Sequence, residues 1–196
     1  MITEEPSYRD LRVLDVHDGL SDVAELIKKV RPTDSRSAVL GISSVAAAFY
    51  GVALSVFCEH YGGINVNKFS EEIFFKIGTL KAKELISLSL LLHNDCRDIV
   101  RVLVLAINNA SPEYVYEIIK YESDFCSIRV YGVDRYLRAT THLGISSHVK
   151  WPVLLPFFWG AADGLGLSVS VDAEVLNSNG VDMLDVDHRI RKSATI

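Results

Sequence analysis

Between Arg36 and Glu59 the chain runs for 22 residues, Ser37 to Cys58, without a charge. A run of that length can cross the hydrocarbon layer of a membrane as a helix. Lys28, Lys29, Arg31 and Arg36 before it, with Glu59 after it, would even orient such a helix with its basic end inside. Half of the run, however, is Ala, Ser or Gly. Ser43, Ala47, Gly51 and Ser55 recur at i+4, so they line one helical face along which another backbone can approach closely. Composition favours a central soluble helix over residues 35–60, apolar all round and therefore covered on all sides. A membrane helix is the alternative.

Helical signals surround this run. Leu20, Val23, Leu26, Ile27 and Val30 have helical spacing from about Ser21, and Pro32 stops them. Ser70, Glu71 and Glu72 predict a short helix ended by Gly78, and Thr79 can cap another running to about His93. Asp95 and Asp98 open a further helix with Ile99, Val102, Leu103 and Ala106 on one face. Ser111-Pro112-Glu113 reads as one more helix start, since Pro at the first helical position loses no needed bond. Connections this short imply antiparallel neighbours.

After Asp124 the pattern is ambiguous. Cys126 to Tyr131 alternates as a strand does, while Val133–Leu143 suits a helix. Trp151 to Val171 carries one charge, Asp163, and its prolines predict a turn followed by a buried helix. Residues 179–196 show no apolar period and read as a tail or arm. The fold expected is mostly α: one helical domain over 1–178, a multi-helix bundle around the 35–60 helix. It leaves room for a few short strands near the N-terminus, where Leu11 to Val16 alternates, and after residue 124.

Charge narrows the function. The 20 Lys and Arg are outnumbered by 25 Asp and Glu, which disfavours a nucleic-acid partner held by phosphate neutralisation. Cys58, Cys96 and Cys126 form no Cys-x-x-Cys and cannot pair completely within one chain. Reduced thiols, with an acidic start that lacks the basic and apolar parts of a signal peptide, point to the cytoplasm.

Several constellations carry possible chemistry. His17-Asp18 is similar to the His-Asp pair of metal phosphohydrolases, but no histidine precedes it, and Asp18-Gly19 suits a turn. His93, Asp95 and Asp98 are ligand-like, although capping explains both carboxylates. Arg135 and His142 have the spacing of the Arg–His pair in the HEPN class of all-helical RNases, which would make them catalytic; Arg12 and His17 share that spacing. Gly160, Gly164 and Gly166 lack the order of a dinucleotide fingerprint and suit close packing. Asp182, Asp185, Asp187 and His188 lack the Gly and final Glu of a calcium loop. No P-loop, Gly-x-Ser-x-Gly or His-Glu-x-x-His occurs, so neither cofactor nor metal is expected.

The leading expectation is a non-enzymatic protein that binds a protein partner or copies of itself, as an assembly subunit or as an inhibitor or immunity-type binder. Its support is an apolar composition, 49% hydrophobic residues, and the aromatic segment Trp151, Phe157, Phe158 and Trp159, a residue class enriched at interfaces. The HEPN-like RNase and a membrane-associated helical protein are the alternatives.

Overall fold

The computed structural model describes residues 34–89, 93–111, 113–176 and 183–193, together with position 26. The expected helix from Ser21, the Leu11–Val16 patch, Arg12, His17-Asp18 and Asp182 lie outside the described residues apart from that one position. Among the described residues the chain forms five α-helices and a four-stranded antiparallel sheet. This corrects the expected helical bundle to an α+β fold.

The first helix, α1 (Ser35–Tyr61), starts where the Asp34 carboxylate accepts from Ser37 N at 2.7 Å. It ends at Gly62, whose φ of 77° suits a residue without a side chain. A short 3-10 turn, Gly63–Asn65, leads into α2 (Val66–Ser87). Two helices meeting at Gly78 and Thr79 were the expectation, and one continuous helix is found. The reason lies across the interface. A Cβ on Gly78 would stand 2.1 Å from Phe157 O, so the glycine is where another backbone enters. Thr79 does not cap; its hydroxyl donates to Phe75 O at 3.2 Å and to Gly160 O at 3.1 Å.

Helix α3 (Cys96–Ala110) is capped by Asp95, which accepts from Arg97 N at 3.0 Å. It buries Ile99, Val102, Leu103 and Ile107. The helix expected after Ser111 is instead strand β1 (Tyr114–Tyr121), which pairs along its length with β2 (Phe125–Val133). A good local helix start is overridden because the segment is rich in aromatic and β-branched residues and finds a partner strand. Helix α4 (Arg135–His142) follows, its first turn held by Asp134, which accepts from Tyr136 N and Leu137 N. After a second 3-10 turn, Ser146–His148, comes the buried helix α5 (Leu154–Leu165), then β3 (Val169–Val175) and β4 (Met183–Lys192).

The strand order is β1-β2-β4-β3, so Met183–Lys192, inside the expected tail, forms a strand paired on both sides. Its period is two. Leu184, Val186, His188 and Ile190 are buried beneath the helices. Asp185, Asp187, Arg189 and Arg191 point the other way and are ion-paired: Arg129–Asp185 at 2.8 Å, Arg189–Asp187 at 3.0 Å and Arg191–Asp172 at 3.0 Å. One face of the sheet thus carries a ladder of ion pairs, half-buried to exposed except at buried Asp187, and the other carries the core.

The helices stack outward from that core. Helices α3 and α5 lie on the sheet, α2 packs across both, and α1 rests on α4, α2 and α3. The helix expected at the centre is therefore peripheral. Only Ser43, Ala47, Tyr50, Gly51 and Leu54 of its 27 residues are buried.

Candidate functional site

Helix α1 has two faces with opposite chemistry. The inner face is pinned by specific contacts. The Ser43 hydroxyl donates to Glu113 Oε1 at 2.7 Å, Arg135 pairs with the same carboxylate at 3.3 Å, and the Arg135 guanidinium donates to Ser44. Gly51 makes room for α4: a Cβ there would meet Leu143 Cδ1 at 3.0 Å and Ala139 Cβ at 3.1 Å. Tyr50 bonds to the Ser70 hydroxyl at 2.7 Å and packs edge-on against Phe74 and Tyr136.

Beneath this face lies a buried polar cluster. Burial pushes the Asp134 carboxyl up to about 6 against the backbone donors of Leu137 and Tyr136, and the Glu113 charge pushes it the same way. The Tyr114 hydroxyl beside it is raised well above its ordinary value, and Tyr136 reaches about 12, both chiefly by burial. These phenols stay protonated near neutral pH. The cluster ties α1, α4 and the start of β1 together, and its side chains are covered by α1 itself.

The outer face is different. Ile42, Val45, Phe49, Val52 and Val56 are 68%, 69%, 77%, 51% and 47% exposed. Their spacing is 3-4-3-4, the heptad spacing of a helix-packing seam. At 100° per residue they centre on the side of the helix opposite Ser43, Ala47, Gly51 and Leu54. Small residues flank the seam: Gly41, Ala46 and Ala48 are all exposed. Sequence reasoning about the small-residue stripe passed over this larger one, although its 3.5-residue period is present in the uncharged run.

The other anticipated site residues are placed as follows. Ser43, Ala47 and Gly51 face α4 and the cluster, and Ser55 is half-buried. Phe157 and Phe158 are core residues, so they offer no surface to a partner. Trp151 is half-buried. Trp159 is 41% exposed and lines a shallow 270 Å³ groove with Phe75, Pro156 and the charged side chains of α2. Arg135 and His142 are the first and last residues of α4, about 10 Å apart along its axis. His142 is exposed, whereas Arg135 is held by Glu113 and Ser44.

Asp98 is buried, accepts from His93 N at 3.2 Å and Asn94 N at 2.6 Å, and pairs with Arg101; it fastens the start of α3. No group of three metal-ligating side chains occurs among the described residues. His188 is buried against Phe158, ring centroids 4.7 Å apart, and burial drives it down to about 4, so it is neutral at physiological pH. Gly160 and Gly164 are packing glycines. A Cβ on Gly160 would stand 1.9 Å from Phe75 O, and one on Gly164 would stand 2.9 Å from Thr79 O.

Comparison of the chain with protein-family models, curated proteins and solved structures finds no significant match.

Proposed function

We propose that this chain works by binding protein, and that it does so through the outer face of α1, which receives another helix. The observation that carries this is the exposed heptad seam from Ile42 to Val56. It covers 15 residues, with a rise of about 21 Å from first to last, and is opposite in direction to a face fastened by hydrogen bonds. Scattered exposed apolar residues are ordinary on a protein surface, but a contiguous apolar seam marks an interaction site.

Lipid is the less well supported occupant. Helix α1 is long and apolar enough to cross a membrane, with a mean hydropathy of 1.9 over its best window. However, Ser43 and Ser44 on its inward side bond to the charged residues Glu113 and Arg135, which a span would carry into hydrocarbon. The seam is also narrow, and the residues beside it are small, which suits a packed helix better than acyl chains. Catalysis by Arg135 and His142 has weaker support, since the arginine is already engaged.

Light scattering of the wild type and of Phe49→Asp tests the proposal. The expected result is a wild-type mass above the 21.8 kDa of one chain, returning to that value in the variant. A single-chain mass for both proteins, with binding to anionic vesicles lost in Phe49→Asp, would replace protein by lipid as the ligand of this face.

A further inference from the structure

We infer that the helix received by α1 is α1 of a second copy, lying antiparallel to it about a two-fold axis near residue 47. This rests on the proposal that the outer face of α1 binds a helix, and adds which helix and in which direction.

Two features of the seam select this arrangement. The first is its symmetry about residue 47, because Ile42 and Val52 are equidistant from it, as are Val45 and Phe49, and Ala38 and Val56. An antiparallel pair on that axis therefore sets Ile42, Val45, Phe49 and Val52 against one another across the two copies, with Val56 at the end against half-buried Ala38. Such self-complementarity is the requirement for an isologous contact.

The second feature is size. The antiparallel pairing places each Phe49 against the partner's Val45, large against small, in two equivalent layers. A parallel pairing would stack Phe49 on Phe49 and Val45 on Val45, which leaves one layer crowded and the next underfilled. Ala46 and Ala48 next to the axis let the two backbones come close.

Area agrees with a weak pair. With usual side-chain areas the five exposed seam residues offer on the order of 500 Å² per chain, or about 1,000 Å² for the pair, the lower bound for a specific interface. Dissociation on dilution is therefore expected.

Disulfide trapping of the full chain tests the inference, in a Cys58→Ser background because Cys96 and Cys126 are buried. Ala48→Cys lies beside the proposed axis and Ser35→Cys at the end of the helix, and both positions are exposed. Mild oxidation is expected to cross-link Ala48→Cys into a dimer and to leave Ser35→Cys unlinked, with the Ala48→Cys cross-link lost when Phe49→Asp is added. Cross-linking of Ser35→Cys without Ala48→Cys would overturn the antiparallel pairing while keeping α1 as the binding face. A wild-type dimer that persists in Phe49→Asp would overturn both inferences. A monomer that cross-links at neither position would overturn self-pairing and leave a foreign helix or residues 1–33 to cover the seam.

Discussion

Helices α5 and α1 both use glycine to admit a neighbour, but at different depths. On α5, Gly160 lets the backbone of α2 itself come in, and the facing Gly78 on α2 does the same for α5. The two main chains touch, and Phe157 and Phe158 disappear into the core. On α1, Gly51 meets only the side-chain ends of Leu143 and Ala139 together with part of the α4 backbone. The opposite face keeps Phe49 in water. Apolar character thus has two uses in one chain. In α5 it is consumed within the fold; in α1 half of it stays exposed among the described residues.

The largest expected effect exploits that difference in depth. Gly160→Leu forces a side chain onto the Phe75 carbonyl, which cannot move without displacing α2. Overpacking of this kind costs about 3 kcal/mol or more, and loss of the cooperative thermal transition is the outcome to look for. Gly51→Leu should cost less, about 1–3 kcal/mol, because Leu143 can rotate away. Denaturant melts that rank Gly51→Leu as the more damaging variant would invert the comparison.

A pH series separates the two regions next. His188, stacked on Phe158 of α5, titrates near 4 in the folded chain against an ordinary 6.5. The unfolded chain therefore takes up the proton first, and stability present above pH 6.5 is lost as pH falls towards 4. Asp134, which caps the helix supporting α1, behaves oppositely. Its folded value of about 6 lies above the ordinary 3.8, so stability is gained as pH falls from 6 towards 4. From pH 7 to 5 the two contributions are about 1–2 kcal/mol each, with opposite signs. Wild-type stability should change little over that interval. Asp134→Asn keeps a cap but removes the gain, exposing the His188 loss; His188→Leu should leave the gain alone. Urea melts at both pH values decide between these outcomes.

The smallest effect on stability is expected at the seam. Phe49 is 77% exposed among the described residues, so Phe49→Asp should alter the monomer by less than about 0.5 kcal/mol. Its consequence should be confined to association.

The start of α3 was legible in the sequence, because Asp95 acts locally, through a side chain that needs no distant partner. Turn and helix after Pro152 were also legible, since proline acts on its own neighbours. The sheet was not. Tyr114–Tyr121 follows a strong helix start, and only its pairing with β2 decides its state. Alternation in Met183–Lys192 is regular, yet His188 occupies a core position, and a polar residue in that place hides the apolar series. Expecting α1 at the centre came from treating an uncharged helix as one to be covered by its own fold. Its two stripes, small and large, point in opposite directions, and among the described residues the small one is the one that meets the rest of the fold.

Hydroxyl-radical footprinting of the wild type tests most directly whether the outer face of α1 is covered by a second chain, with Phe49 read against Phe158 in the same sample. If α1 pairs with α1, Phe49 is protected nearly as well as Phe158 at micromolar concentration and becomes reactive on dilution. Phe49 that is oxidised at the same high rate at every concentration, while Phe158 stays protected, would contradict it.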